Sequence, residues 1–473
     1  MQTSVVSFKD LNFEFRIDAE YYRAEVLNSI KLLDRKDSAV LSDLVSFVIG
    51  PFGSTVTVDQ YVSQSNFRYI RNKDINDFQI CDDEQAYIPE NVYKALPQFH
   101  IKENDLLITV VGTLGKVAIA TKKDTASIFS CKSTIIRAKN IDPFYLLTYL
   151  NSSVGQLFSL RGVRGAIQQG LNLSDLKEIK VFLPSIGFQK NIRGIINKAF
   201  DFLAAAGCLY SQAEKILLSE LGLLNWKPKH RPSFVKKYSN TTTAGRIDAE
   251  YFQPMYEEIV KAITSLKTHG ILGDLISIKK CIEPGSEAYQ DSGISFLRVS
   301  NLSKFGINTD NQQFLSETLY STLKAHQPKK GEILLTKDAT PGIAYYLKDD
   351  PGKMIPSSGI LRLTVKDVGQ ISPEYLTLVL NSIIAQKQIE RDAGGSIINH
   401  WLVDQVKNTL IPILPIATQR KITEKVDKSF FDREQSKRLL DIARRGVEMA
   451  IEESEKDAQY WINAQLEELK IDS

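Results

Sequence analysis

The heptapeptide RIDAEYY at Arg16–Tyr22 returns, with one change, as RIDAEYF at Arg246–Phe252. That pair decides the fold, because the same displacement recurs along the chain. LSDLVSF from Leu41 answers LGDLISI from Leu272, and YIRNKDIN from Tyr69 answers FLRVSNLS from Phe296. NDLLITVVGTLGKVA from Asn104 answers GEILLTKDATPGIA from Gly331, and PFYLLTYLNS from Pro143 answers PEYLTLVLNS from Pro373. Each Leu-Pro pair, Leu183–Pro184 and Leu414–Pro415, precedes a Gln-Lys or Gln-Arg helix start, at Gln189–Ile192 and Gln419–Ile422. Matches displaced by 227 to 231 residues, all in one order, imply duplication of a large unit, roughly 1–230 and 231–473. A solenoid would repeat at a far shorter period.

Each copy opens with about 180 residues of mixed character. NDLLITVVG and GEILLT read as a turn followed by a buried, β-branched strand. SPEYLTLVLNSIIAQKQI from Ser372 reads as one amphipathic helix, with Ser372 as its cap and Pro373 in its first turn. LSDLKEIKVFLP reads as a short helix capped by Ser174 that leads into a strand ending at Pro184. After this α+β part comes a long helix. Apolar residues recur from Phe188 at Ile192, Ile195, Ile196, Ala199, Ala206, Ala213 and Leu217, and in the second copy at Ile422, Val426, Phe430, Leu440, Ala443, Val447 and Ile451. That spacing is helical with partial heptad character, and two matching stripes in one chain can bury each other. The alternative is a surface helix packed on its own domain. The fold class expected is α+β: a tandem duplication of a mixed α/β domain followed by a long helix, the two helices pairing as an antiparallel coiled-coil spacer. The boundaries are 1–187, 188–230, 231–417 and 418–473, with Pro228, Pro232 and SNTTTAG marking the link and the last segment ending in a tail.

The bulk numbers exclude some classes. A formal net charge of +3 over 473 residues predicts no partner by itself, so any nucleic-acid contact needs a local basic face. No basic flank precedes a long apolar run at the start, and no stretch approaches 18 uninterrupted apolar residues, so neither a signal peptide nor a transmembrane helix is expected. Cys81, Cys131, Cys208 and Cys281 form no CxxC pair and read as reduced thiols of a cytoplasmic protein. There is no P-loop, no GxGxxG after a strand, no Asn- or Asp-Pro-Pro-Tyr, no HExxH and no GxSxG. Binding is therefore favoured over catalysis, with no metal site and no cofactor of the chain's own. Two related domains on a rigid spacer suit a long, repetitive ligand, of which duplex DNA is the natural candidate. A helix of 30–35 residues is roughly 45–50 Å long, of the order of the ~34–36 Å between half-sites one helical turn apart.

GAIQQGLNLSDLKEIKVFLPSIGFQKNI, from Gly165 to Ile192, resembles the closing segment of the specificity (S) subunits of type I restriction–modification systems. IGPFGSTVTVDQY at Ile49 and IEPGSEAYQ at Ile282 are similar to that family's Gly–Ser loop after the first strand. The chain departs from the pattern at Ser185–Phe188, where SIGF replaces a Pro/Leu/Glu-rich lead-in, and at the more diverged second segment, GGSIINHWLVDQVKNTLIPILP. The resemblance spans essentially the whole chain. It implies a non-catalytic DNA specificity subunit, with two target recognition domains reading the halves of an asymmetric, bipartite double-stranded site. It further implies helices that set the spacing and dock two methyltransferase subunits, through which restriction subunits join. S-adenosylmethionine and ATP would belong to those partners. Rival readings are the specificity part of a type II-like system, a stand-alone DNA-binding regulator and a self-contained enzyme.

Side chains that pair with base edges or phosphates point to the loops. In the first copy these are Gly53, Ser54 and Thr55 in GPFGST; Arg71 and Lys73 in RNKD; Thr113 and Lys116 in GTLGK; and Arg161, Arg164, Gln168 and Gln169 in RGVRGAIQQG. The second-copy equivalents are Ser286, Arg298, Asn301, Lys337, Thr340, Arg391, Ser396, Asn399 and His400. The repeated heptapeptide lies outside these loops. Its acids, Asp18, Glu20, Asp248 and Glu250, are poor DNA contacts, and with Tyr21, Tyr22 and Tyr251 they suit a docking surface for a protein partner. Packing within the chain is the alternative.

Overall fold

The structure, a computed structural model, describes residues 6–7, 17–82, 84–165, 169–309, 311–394 and 399–470. The chain divides into two compact units, Met1–Leu203 with Glu434–Ser473, and Ala204–Arg433.

In the first unit a five-stranded sheet runs in the order Val45–Ile49, Ser133–Ala138, Leu106–Thr109, Val117–Ile119, Phe78–Gln79. All neighbours are antiparallel except the last pair. A three-stranded sheet of Ala86–Ile88, Phe67–Ile70 and Ser127–Phe129 packs on it. The run Leu106–Ile108 is wholly apolar because both faces of its strand are covered. Leu106 and Ile108 join the core built with the helix Pro143–Asn151, while Leu107 joins Ile70, Phe129 and Ile135 between the sheets.

The second unit repeats this plan. Its four-stranded sheet is Ile276–Lys280, Ile360–Val365, Ile333–Thr336, Ala344–Tyr346, and its three-stranded sheet is Gln313–Leu315, Ile294–Leu297, Met354–Pro356. Ile333 and Leu335 face the helices and Leu334 the second sheet. A hairpin, Leu302–Ser303 with Gly306–Ile307, stands where the first unit has its short parallel strand.

The duplication extends to the buried polar contacts. Tyr145 Oη donates to Phe182 O at 2.8 Å, and Tyr375 Oη to Pro412 O at 2.9 Å. Asn151 Nδ2 bonds Val117 O at 3.0 Å, and Asn381 Nδ2 bonds Ala344 O at 2.8 Å. A carboxylate–arginine pair crosses neighbouring strands in each, Asp105–Arg137 at 2.7 Å and Glu332–Arg362 at 2.8 Å.

The long helices are Ile186–Glu220 and Ile416–Glu452, without interruption. In the first unit Ile192, Ile195, Ile196 and Ala199 share a core with Leu439, Ala443, Val447 and Ile451. In the second, Tyr210, Ala213 and Leu217 share one with Ile422 and Val426. In each unit the first half of one helix lies with the second half of the other, or the reverse, which is the antiparallel pairing expected. The covalent repeat and the packing unit are therefore different partitions of the chain, because the first half of each long helix packs with its own copy and the second half with the other.

Four local expectations change. The segment from Ser372 is two helices, Pro373–Asn381 and Ile383–Asp392, broken at Ser382 with φ −80° and ψ 162°. There Asn381 reaches across to a strand and Ser382 Oγ donates to Val379 O at 2.7 Å, so side chains replace the helical ladder. Ser372 does cap the first of them, accepting from Tyr375 N at 3.1 Å. The short helix is Leu173–Lys177 with Asn172 at the N-cap position, making no side-chain cap bond, so Ser174 lies inside the helix and is not its cap. The tail after the second long helix holds a further helix, Glu455–Glu468, whose Ala458, Ile462 and Leu466 complete the first unit's core. SNTTTAG lies largely in a short helix, Tyr238–Ala244, stopped by Gly245 at φ 63°.

Candidate nucleic-acid interface

Backbone bonds bring the first unit's candidate loops to one rim. Val110 N donates to Lys132 O, and Leu171 N to Val110 O, both at 2.9 Å. A Cβ on Gly50 would stand 2.2 Å from Ser130 O, so only glycine lets the Gly–Ser loop start against that strand end. Gly112, at φ +84°, turns the next loop beside Asn72, whose amide a Cβ on Gly112 would meet at 3.6 Å. Arg164 and Gly170 exchange both backbone bonds, at 3.0 and 2.9 Å, and so close the arginine–glutamine loop.

On this rim Gly53, Ser54, Thr113 and Gln169 are exposed and Thr55 is half-buried. Gln168 lies outside the described residues. The cations have partners. Arg71 is held at 2.9 and 3.1 Å by the buried Asp74, whose hydrogen bond raises the guanidinium pKa further. Lys73 meets Glu84 at 2.6 Å, Lys116 meets Asp77 at 3.0 Å and Arg164 meets Asp175 at 3.0 Å. The Lys73–Glu84 pair lies at the surface, where such a pair contributes at most about 1 kcal/mol and a phosphate can replace the carboxylate. Arg161 is differently placed. Its guanidinium lies 3.7 Å from the centre of the Tyr21 ring, and Nε donates to Tyr21 O at 2.9 Å.

The repeated heptapeptide is thus built into its own unit at the tyrosines. Tyr21 is 4 % exposed and Tyr22 is buried beside it, with Asp18 accepting from Tyr21 N at 3.1 Å. In the second unit Arg391 takes the place of Arg161, 5.4 Å from the half-buried Tyr251 ring. Arg391 also pairs with Asp392 at 2.7 Å. Arg246 holds the Asp248 carboxyl below the usual carboxylate range, at 2.7 Å. Glu250 meets His230 at 3.1 Å, and Glu20 is exposed.

The second unit uses the same loops with other chemistry. Lys337 N donates to Gly359 O, and Trp401 N to Lys337 O, both at 2.8 Å, while Ala339 N donates to Asn399 O at 2.9 Å. His400 Nδ1 meets Asp338 Oδ1 at 2.8 Å. Ser286, Thr340, Asn399 and His400 are exposed, and Lys337 is half-buried beside Asp338. Ser396 lies outside the described residues. Arg298 bonds Asn311 O. Asn301 is 1 % exposed, bonding Arg298 N at 3.2 Å and Asn308 O at 3.1 Å, so it shapes the loop from inside and has no surface to offer DNA.

A cleft of about 610 Å³ opens between these loops, lined among others by Lys280, Lys337, Asp338, His400, Trp401 and Lys407. Cys281 also lines it, its thiol pushed up to about 12 by burial. Lys280, Trp401 and Lys407 escaped the sequence reading because nothing in their local pattern separates them from ordinary strand-end and helix-surface residues. The strand registers place Ile49, Val110 and Val111 of the first unit at the positions of Lys280, Lys337 and Asp338. At these positions the first unit has an exposed isoleucine, Ile49, a buried valine, Val110, and a half-buried one, Val111, where the second has charged side chains that reach the surface. Among the described residues no three His, Cys, Asp or Glu side chains cluster to hold a metal, and no helix is long and apolar enough to cross a membrane.

A family model described as Type I restriction modification DNA specificity domain matches residues 88–204 and 270–440, more than half of the chain. Among curated proteins, the type I restriction enzyme EcoBI specificity subunit of Escherichia coli is 29% identical over 134 residues, 28% of each chain. A putative type I restriction enzyme MjaX specificity subunit of Methanocaldococcus jannaschii is 22% identical over 407 residues, 85% of this chain and 87% of that one. Among solved structures, the type I restriction–modification S subunit from M. genitalium is similar with a TM-score of 0.39 at 14% identity, over 88% of this chain and 94% of that one. The HsdS subunit from Thermoanaerobacter tengcongensis has a TM-score of 0.28 at 13% identity, over 88% and 97%.

Proposed function

This chain belongs to the type I restriction modification DNA specificity domain family, and we propose that it is the non-catalytic, DNA-reading subunit of a type I restriction–modification complex. Each α/β unit reads one half of a bipartite double-stranded site. The observation that carries this is the repeated loop scaffold with unlike side chains: the two copies share their strand registers and supporting hydrogen bonds but differ at the exposed pair Ile49/Lys280, and at Val110/Lys337 and Val111/Asp338, where the first unit's valines are buried or half-buried and the second unit presents a lysine and an aspartate. Shared supports with different reading surfaces suit two different half-sites, hence an asymmetric target. In the first unit Ser54, Thr55, Lys73, Thr113, Lys116 and Gln169 are the DNA-facing side chains. In the second they are Ser286, Lys337, Thr340, Asn399 and His400. Gln168 and Ser396, outside the described residues, remain candidate contacts by sequence. Lysines position the protein on phosphates, and hydroxyls and amides reach base edges.

The paired long helices act as the spacer, and with the acids of the repeated heptapeptide they dock two methyltransferase subunits. S-adenosylmethionine and ATP are handled by those subunits and by the restriction subunits they recruit. The test is a methylation map. The chain and its neighbouring methyltransferase subunit are expressed together in a methylation-free host, and modified bases are located by sequencing. One bipartite motif, lost when this chain is omitted, is the expected result; a stable complex that modifies nothing would refute the reading.

A further inference from the structure

The first unit exposes an apolar stretch that its fold does not require. Ile49, at the end of the edge strand, is 55 % exposed; Phe52, in the following loop, is 88 % exposed; and Val58, opening a short 3-10 turn, is 76 % exposed. The second unit builds the same strand end and turn with Lys280 and Ser286, and its shorter connecting loop, Cys281–Gly285, has no aromatic residue. Packing therefore does not demand the apolar side chains.

The loop is also held in place. Pro51 is buried, Gly50 lies against the Ser130 carbonyl, and Thr55 N donates to Phe52 O at 2.8 Å, which closes a turn with the ring at its outer end. A Cβ on Gly53 in that turn would stand 3.6 Å from Cys131 Sγ, so the turn lies against that residue, and the neighbouring Lys132 is exposed, with no ion-pair partner among the described residues. An apolar ring beside a cation, on the rim formed by the candidate DNA loops, fits a groove that offers an apolar group within a polyanion. In duplex DNA that group is the 5-methyl of thymine, which projects into the major groove.

We propose that Phe52 reads a thymine methyl group in the half-site of the first unit. This rests on the DNA-reading role proposed above. The experiment uses the full complex with its methyltransferase subunits, carrying wild-type chain, Phe52→Ala or Phe52→Leu. The methylated motif is mapped for each. Binding is then measured to the mapped duplex with each thymine replaced in turn by uracil, which lacks only the methyl. Phe52→Ala should relax one thymine position in one half of the motif and leave the other half unchanged, whereas Phe52→Leu should keep the preference. Replacing that thymine by uracil should weaken wild-type binding about fourfold, the scale of burying one methyl group, and leave Phe52→Ala binding unchanged. An unchanged motif in Phe52→Ala, or a motif half without a responsive thymine, overturns the proposal. So does an equal loss of Phe52→Ala affinity for thymine and uracil duplexes, which would indicate a wedge between base steps. Each of these leaves the DNA-reading role standing; a wild-type complex with no bipartite motif brings down both.

Discussion

Replacing Arg161 by alanine separates a structural role from a DNA-binding one. Its guanidinium stacks 3.7 Å from the Tyr21 ring and Nε donates to Tyr21 O at 2.9 Å, at a ring only 4 % exposed. A cation–π contact in partly desolvated surroundings contributes about 1–2 kcal/mol. A hydrogen bond from a charged donor contributes about 1.5 kcal/mol net. Arg161→Ala should therefore destabilise the first unit by about 2–3 kcal/mol, a sum rounded down because the two contacts share one side chain. For a unit of this size that corresponds to a fall in melting temperature of roughly 4–12 °C. Arg161→Lys keeps the charge but loses the planar stack and the Nε bond, so it should cost part of the same. The second readout is the salt dependence of DNA binding by the complex. A lost phosphate contact lowers the slope of log affinity against log salt by about 0.9, whereas a lost internal prop leaves it unchanged. Wild-type stability with a slope reduced by about one would refute the structural assignment.

The Glu332–Arg362 pair is buried, with Arg362 only 1 % exposed, so Arg362→Met should cost the second unit about 3–5 kcal/mol in urea unfolding, and adding Glu332→Met should recover most of it. Arg137→Met in the first unit should cost less, because Arg137 is 30 % exposed. Gly50→Ala forces apart two backbone segments and should destabilise the first unit by about 1–3 kcal/mol while weakening modification of the site; unchanged unfolding would sink the close-approach argument. Cys208 is exposed and Cys281 buried, so iodoacetamide at pH 8 should label Cys208 first, as read by mass spectrometry. Burial raises the Cys281 pKa to about 12, above the ~8.5 of an unfolded thiol, so native Cys281 stays protonated where the unfolded chain ionises. Its contribution to stability is full below about pH 8.5 and is lost as pH rises towards 12. Glu20→Lys with Glu250→Lys, both at exposed positions, should lower co-purification of the methyltransferase subunit; undiminished assembly would remove the heptapeptide from the docking surface.

Much of the architecture was legible because its signals are local or periodic. Duplication shows as matched segments, buried strands as apolar runs between turns, and the long helices as apolar residues at helical spacing without proline. The same matching pointed to the segments after the strands, but two of its candidates, Arg161 and Arg391, lie at the ends of the helices Ser153–Arg161 and Ile383–Asp392. Less legible was which side chains on those loops are available. Arg161 and Asn301 look alike in sequence to any exposed polar loop residue, yet one is stacked on a tyrosine 140 positions earlier and the other is sealed beneath its own turn. The break at Ser382 was hidden for a similar reason: an apolar helical period continues through it, while the bonds that favour the break come from a strand 37 residues away.

By itself, then, the sequence determined two α/β copies, two long helices and a set of polar loops, since each of these depends on the order and period of residues along the chain. Tertiary structure alone decided that each unit takes half of each helix, that the final helix Glu455–Glu468 completes the first unit's core, and that five separate loops meet on one rim. Those outcomes depend on which apolar stripe finds which partner and on close backbone approaches such as Gly50 against Ser130. Burial of this kind is a property of segments hundreds of residues apart, and a local pattern records that a face must be covered without recording what covers it.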